Sequence, residues 1–366
     1  MATGNTNIDP SAVPFDQYSR QLVVKNIIDK VFRVKPNGKK FSILDVGGYM
    51  GKTVEFLPND HVDILDVFDI KAPNYIKGDA TDVKKDDLSY DFVCSFDVLE
   101  HIPKNKREAF ITESARLSKV GFFIAAPIDD KDGLVSLAER EANDVFKIVN
   151  KEDHRWLKEH IEYGIPTSKE IEGILSKHKL QYVAVKSNEL VNWLSVQSTF
   201  FIKSVLERPN NFLDNRYLAQ FHELHRLINK VYNENYDLLE KRQNVLSYRT
   251  VYFVSYDQKL VHKVDDYLHK NAKTVSGDAI NKTQIEVYSN LFKVIAATIS
   301  TLQKEGDDLK KEADDLRKME GQLTALKQEL MHKESYIKEL QESRSWKMTK
   351  PFRQIVHSAK SIRKKD

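Results

Sequence analysis

The stretch "ILDVGGYMGKTVEFL", residues 43–57, carries a short apolar run into a glycine-rich bend that closes on Gly51-Lys52-Thr53. The G-K-T ending invites a nucleoside-triphosphate reading, and the spacing decides against it. A phosphate loop keeps four residues between its first glycine and the G-K-[ST] triplet, so that successive backbone N–H groups wrap the phosphate. Here Gly47 and Gly51 enclose three. The dinucleotide fingerprint G-x-G-x-x-G, counted from Gly47, needs glycines where Tyr49 and Lys52 stand. The bend is therefore a strand-to-helix turn in neither phosphate register, with Lys52 and Thr53 opening the helix that follows.

Working outward, short β-rich runs alternate with polar, helix-compatible stretches: "FSILDVG", "VDILDVF", "NYIKGD", "DFVCSF" and "KVGFFIAAP", then "LQYVAVKS" (180–187) and "YRTVYFVSY" (248–256). Such alternation predicts an α/β fold, a largely parallel sheet of about seven strands with helices on both faces. "FDQYSRQLVVKNIIDKVF" ahead of the first strand and "TSKEIEGILSKH" (167–178), which opens on a Thr or Ser cap, have helical spacing. Residues from about 190 to 247, rich in Leu, Phe, Tyr and Asn, read as a mostly helical insertion.

Acidic residues recur where these strands should end. Asp45 precedes the glycines, Asp66 closes "VDILD", Asp79 follows Gly78, and Asp97 and Glu100 follow "FVCSF". In an open α/β sheet the ligand lies outside the carboxyl ends of the strands, where strand order reverses. A ring of carboxylates there repels a pyrophosphate and favours a ligand with an ammonium, a sulfonium and ribose hydroxyls. S-adenosylmethionine fits that description. A single strand-end Asp is more often a helix cap or turn former; it is the set beside the glycine bend that points to the cofactor.

"ILDVGGYMG", the acid at the end of the next strand, "YIKGDAT" and "FDVLEHIP" resemble the successive motifs of class I S-adenosylmethionine-dependent methyltransferases of the type 11-like group, over about residues 20 to 255. The resemblance implies a Rossmann-like seven-stranded methyltransferase sheet. It also implies roles: Gly47, Gly48 and Gly51 let the backbone approach the cofactor, and Asp45 lies near its methionine amino end. Asp66 accepts the ribose hydroxyls, Asp79 and Ala80 contact adenine, and Phe96 with Asp97 lines the cofactor after the fourth strand. Tyr49 stands where a glycine is usual, and "DVKKDDL" replaces an apolar-proline turn. On the acceptor side, His101 of "LEHIP" and the cluster "EDHRWLKEHIEYGIP", with His154 and His160, are the candidate bases. For each a bland role weighs about equally: a helix-terminus histidine for His101, a surface or lid position for His154 and His160. No metal site is expected from these spacings.

After about residue 257 the composition changes. Tyr288, Ile295, Leu302, Leu309, Leu316, Leu323, Leu330 and Ile337 recur every seventh residue, with Leu291, Met319, Leu326 and Leu340 three later in several heptads. This predicts a helical coiled coil over 257–342 and self-association through it. Glu305, Glu312 and Lys333 interrupt the second stripe, leaving strand number and orientation open. The tail, 343–366, carries eight basic side chains from Arg344 to Lys365 among Trp346, Phe352, Ile355 and Val356. Such a segment suits a membrane surface or a partner, or is simply solvated. "SRSWKMTKPFR" is similar to segments of coiled-coil-bearing bacterial surface-polysaccharide enzymes. That resemblance implies methylation of a sugar hydroxyl or terminal glycan group beside a glycosyltransferase complex. Small-molecule or lipid methylation, and a non-catalytic scaffold on a degenerate methyltransferase domain, are the alternatives.

Bulk composition agrees. At 366 residues with 41% hydrophobic and 30% charged residues, the chain is expected to hold more than one unit, with residues 1–256 forming the sheet-bearing domain. It has no apolar run of about 18 residues. The single cysteine, Cys94, lies within an apolar run and reads as a buried core residue. With no secretory pattern at the N-terminus, a cytoplasmic location is expected, with peripheral contact at the inner membrane face through the tail. The net charge of +3 gives no argument for nucleic acid.

Overall fold

The computed structural model describes residues 8–9, 11–33, 39–49, 51–69, 71, 73–130, 132–206, 215–234, 246–271, 282–343 and 353. Seven strands form one sheet in the order β3-β2-β1-β4-β5-β7-β6. They are β1 (Ser42–Val46), β2 (His61–Asp66), β3 (Tyr75–Lys77), β4 (Tyr90–Phe96), β5 (Ser118–Pro127), β6 (Gln181–Glu189) and β7 (Ser247–Ser255). Each of the seven β-rich runs in the sequence is one of these strands. The first five pair in parallel. β7 inserts antiparallel between β5 and β6, setting Phe122 opposite Val254 and Tyr182 opposite Val254 on its other side.

The helices are α1 (Phe15–Ile27), α2 (Lys52–Phe56), α3 (Arg107–Leu117), α4 (Leu134–Asn150), α5 (Arg155–Tyr163), α6 (Ser168–Lys177), α7 (Leu190–Leu206), α8 (Asn215–Glu234), α9 (Gln258–Asn271) and α10 (Lys282–Glu342). A single π turn, Ile28–Phe32, prolongs α1. Because the strands are buried on both sides, residues alternate between two cores. Leu44, Val93, Phe110, Ile124 and Tyr252 fill one. Ile43, Phe92, Cys94, Phe123 and Phe253 fill the other, beneath α1 and α9. Cys94 is buried there, as its apolar context implies. Thr167 caps α6 as expected: its Oγ1 accepts from the Glu170 N–H at 3.2 Å.

α7 and α8 make the region 190–247 helical where it is described; residues 207–214 and 235–245 lie outside the described residues. α7 buries Trp193, Leu194 and Phe201 against Leu134, Ala138 and Leu157 of α4 and α5. Trp193 stacks on Tyr248 of β7 with ring centroids 4.0 Å apart. This cluster fixes α4 and α5 beside the carboxyl ends of the parallel strands.

The sheet-bearing unit extends past residue 256. Val261 and Val264 of α9 are buried in the second core. The first compact unit runs to Thr301 and the second comprises Leu302–Asp366. Composition placed the boundary too early because α9 is charged on its outer face while its two core valines sit one turn apart. In the second unit Leu302, Leu309, Leu316, Leu323, Leu330 and Ile337 are exposed on the single chain, with Met319 and Leu326. The side chains of Tyr288, Leu291 and Leu340, and all of the tail except Ser343 and Arg353, lie outside the described residues. Among the described residues no helix is long and apolar enough to cross a membrane.

A chain ending at Thr301 should fold with the melting temperature of the full-length sheet unit. One ending at Tyr256 should lose about 3–5 kcal/mol, from removal of the two buried valines and their surroundings. Urea unfolding followed by circular dichroism distinguishes these; equal stability of the two truncations would show that α9 is dispensable.

Candidate active site

The bend after β1 depends on residues without side chains. Gly47 has φ +72°, and a Cβ on it would lie 2.3 Å from Val98 Cγ2. A Cβ on Gly48 would lie 2.3 Å from Asp45 Oδ2. The backbone of the bend thus rests directly on the Asp45 carboxylate. Gly51, φ +63°, is the left-handed residue that starts α2, with Lys52 and Thr53 in its first turn. Burial raises the Asp45 carboxyl to about 7, against the lowering hydrogen bond from Thr53. At the end of β2, the buried Asp66 accepts the Phe68 N–H at 3.3 Å on Oδ1.

Residues named from sequence divide here. Asp45, Gly47, Gly48, Gly51 and Asp66 gather at the carboxyl ends of β1 and β2, on the side where strand order reverses between β1 and β4. Asp79 accepts the backbone N–H of Thr81 at 2.8 Å and its hydroxyl at 2.7 Å, so its carboxylate shapes the turn after β3. Those bonds, the backbone one first, hold its pKa below the ordinary value. Ala80 packs against the first core. Phe96 is buried in the second core.

Asp97 has a structural task that sequence did not reveal. It takes φ +53° directly after β4 and sends its N–H to the Ala125 carbonyl at 2.8 Å. Its carboxylate accepts from Arg249 Nε at 2.6 Å and is also bound by Arg249 Nη2 and by Arg20 Nη1. Arg249 reaches on to Asp16 at 2.9 Å. Burial alone would raise the Asp97 carboxyl, but Arg249 and then Arg20 outweigh it and bring it to about 2. This carboxylate is committed to α1 and β7.

His101 and His160 come together, and His154 does not join them. The His101 and His160 Nε2 atoms are 3.1 Å apart. His101 Nδ1 faces Glu159 Oε2 at 3.0 Å, and His160 Nδ1 faces Glu139 Oε2 at 2.9 Å. The Tyr248 hydroxyl donates to Glu139 Oε1 at 2.8 Å. Burial would lower His160, yet Glu139 raises it to about 9. Burial and the neighbouring His160 charge drive His101 down to about 3. His154 instead begins α5 with its ring between Phe146 and Phe201, centroids 4.8 Å from each. Burial there lowers it to about 4. Its place in an apolar wedge removes it from the candidate bases. Beside the pair, Glu100 is fully buried, and neither of its carboxylate oxygens has a partner from another residue.

An aromatic row joins the bend to the pair. Tyr49 meets Phe68 at 5.5 Å, Phe68 meets Trp156 at 6.2 Å, and Trp156 meets His101 at 5.2 Å. Arg155 lies 4.8 Å over Trp156 and 5.5 Å over Phe68. Tyr49 and Trp156 are exposed. A separate cavity of about 600 Å³ is lined by Lys25, Arg33, Lys52 and Asp29. Its cations are paired with Asp29, Asp60 and Glu55, and neither Asp45 nor Asp66 lines it.

Residues 52–125, from α2 through β5, match a family model described as a methyltransferase domain. No curated protein matches at a significant level. Among solved structures, a protein proposed to be a sarcosine dimethylglycine methyltransferase from Galdieria sulphuraria is 15% identical, over 64% of this chain and 84% of that one, at a TM-score of 0.38. A SAM dependent methyltransferase from Archaeoglobus fulgidus is 13% identical, over 64% and 93%, at 0.34. Likeness this low carries no argument about substrate. The matched domain and the strand order make this chain an enzyme, a methyltransferase whose cofactor is S-adenosylmethionine.

Replacing Asp97 by Ala should cost about 3–5 kcal/mol, because two guanidinium groups lose their buried partner. A carboxyl lowered to about 2 contributes stability that is complete above its ordinary 3.8 and disappears as pH falls through 2. Urea titrations between pH 7 and 2 should show this acid-dependent loss in the natural chain and a flatter profile in Asp97→Asn. Identical profiles would remove Asp97 from the clamp.

Proposed function

Starting from an S-adenosylmethionine-dependent methyltransferase, we propose that the cofactor occupies the crevice bounded by Asp45, Gly47, Gly48, Gly51 and Asp66, and that the acceptor is a sugar hydroxyl or terminal group of a cell-surface glycan. Bound there, the cofactor supplies an electrophilic methyl on a sulfonium. The chain's task is to align and desolvate the two reactants. The residues fit the group: Asp66 offers a buried carboxylate at a strand end for a ribose diol, and the side-chain-free bend lets backbone come close. Asp45, ionised, matches an ammonium.

The observation that carries the acceptor reading is the exposed aromatic row beside the histidine pair. Tyr49, Phe68 and Trp156 offer apolar faces of the kind that take the C–H face of a pyranose, with Arg155 and His101 as polar neighbours. His101, held by Glu159, borders that row at Trp156. The exposed heptad residues from Leu302 to Ile337 support self-association, and the basic aromatic tail supports peripheral contact with a membrane or a glycosyltransferase complex.

Calorimetric titration with S-adenosylhomocysteine tests the cofactor crevice. Asp66→Ala should weaken binding by at least about tenfold, since hydrogen bonds to a charged group contribute about 1.5–3 kcal/mol. A group raised to about 7 is protonated below that pH, so affinity should rise from pH 6 to 8, by up to about tenfold. Asp45→Asn should abolish that dependence. No heat at millimolar ligand would overturn the assignment.

Transfer of tritiated methyl to lipid-linked glycans tests the acceptor. Trp156→Ala should raise KM with little change in S-adenosylhomocysteine affinity; labelling of lipids or small molecules alone would reject the glycan. Light scattering should give a multiple of the monomer mass for the full chain and a lower state for the chain ending at Thr301.

A further inference from the structure

The histidine pair presents a problem of protons. A carboxylate only accepts, so Glu159 and Glu139 each require a proton on the Nδ1 that faces them. Each imidazole, when neutral, then carries its lone pair on Nε2, and the two Nε2 atoms face each other at 3.1 Å. Two lone pairs at that distance repel unless a cation stands between them. One extra proton on either ring would answer this contact. It would leave Glu100 unanswered: the side chain is fully buried, with both oxygens lacking a partner from another residue. A buried carboxyl without partners costs free energy even when it takes up a proton.

The ligand atoms of Glu100, His101 and His160 all lie within 4.8 Å of one another, and among the described residues they are the group of this kind. We propose that these three side chains bind a divalent transition metal, with zinc as the representative ion. Two imidazole nitrogens on zinc at about 2.0–2.1 Å stand about 3.3 Å apart in tetrahedral geometry, close to the separation seen. Two neutral nitrogens and one carboxylate are the donor set that such ions take when a coordination position stays open. The second hydrogen-bonding shell is also in place. Glu159 and Glu139 fix each ring's tautomer, and Tyr248 fixes Glu139, the arrangement that orients metal-bound histidines.

The histidines come from segments 59 residues apart, so the site exists only in the folded chain. His101 also borders Trp156 at 5.2 Å, so the site lies beside the aromatic row. In the part of the inference that rests on the methyltransferase reading, an acceptor hydroxyl bound there would lose its proton more readily. The sequence spacing gave no hint of this, since Glu139, Glu159 and His160 are brought to "LEHIP" only by the packing of α4 and α5.

The experiment uses the full-length protein, stripped with a chelator and titrated calorimetrically with zinc chloride, with cobalt(II) absorption as a second readout. The expected result is one equivalent bound in the natural chain and at least a hundredfold weaker binding in Glu100→Gln and in His101→Gln. Glu139→Gln, a positioning change, should weaken it by about 10–100-fold. Circular dichroism and S-adenosylhomocysteine titration of the same variants should be near those of the natural chain, which separates failure of the metal site from failure of the cofactor crevice. Should a variant not fold, the tyrosine change Tyr248→Phe, expected to weaken zinc several-fold, takes its place. No one-equivalent site in the natural chain, or zinc binding unchanged in folded Glu100→Gln and His101→Gln, would overturn the proposal and leave a shared proton between the rings.

Discussion

One carboxylate holds the working edge of the sheet together. Asp97 follows β4 in a left-handed backbone conformation, and Arg249 from β7 and Arg20 from α1 close on it. Arg249 is itself fully buried, and Asp16 completes its charge balance. A buried charge set of this kind costs desolvation and repays it only when geometry is complete. Its effect here is to specify where the chain goes after β4. Glu100 and His101 follow within four residues, and their position depends on that turn.

A second set of polar contacts aims α5 at the same place. Arg107, almost wholly buried, accepts no water-facing role: it donates to the Ile102 carbonyl at 3.1 Å, to Glu170 at 3.0 Å and to the Gly164 carbonyl. The end of α5 is thereby tied to the segment just after His101. From the other side Tyr248 and Glu139 fix His160. The cofactor side rests on different physics. Its bend is shaped by absent side chains, and its acids are buried and held by hydrogen bonds from Thr53 and the Phe68 N–H. The two halves meet along Tyr49, Phe68 and Trp156, which answers what Tyr49 does in a position where glycine is usual: it is the first ring of the row.

The strands were legible in sequence because each is a short β-rich run bounded by acids, glycines or polar turns. The glycine bend was legible because its spacing excluded the phosphate registers. What sequence could not give is pairing over distance. β7 enters between β5 and β6, setting Arg249 opposite Pro127 and Ser187, and no local pattern announces that. A strand-end acid looks the same in sequence whether it meets a ligand, an arginine or its own turn, so the Arg249 and Arg20 contacts of Asp97 and the Thr81 contacts of Asp79 were not legible there. His154 read as a base because a histidine in a polar cluster gives no sign of Phe146 and Phe201 around it. Glu139 was missed. Its signal was present, a charged residue on the face of α4 that also carries Val135, Ala138 and Ala142. The early boundary at residue 256 came from reading α9 by its charged surface instead of Val261 and Val264.

The proposed cofactor crevice lies at the carboxyl ends of β1 and β2, with the aromatic row and histidine pair on its acceptor side. A crystal structure of the full chain with S-adenosylhomocysteine tests this most directly. The ribose should lie on Asp66, the amino acid end over the Gly47–Gly51 bend beside Asp45, and the sulfur should point towards His101. Ligand density elsewhere, such as in the cavity lined by Lys25, Arg33 and Lys52, with the crevice empty, would contradict it.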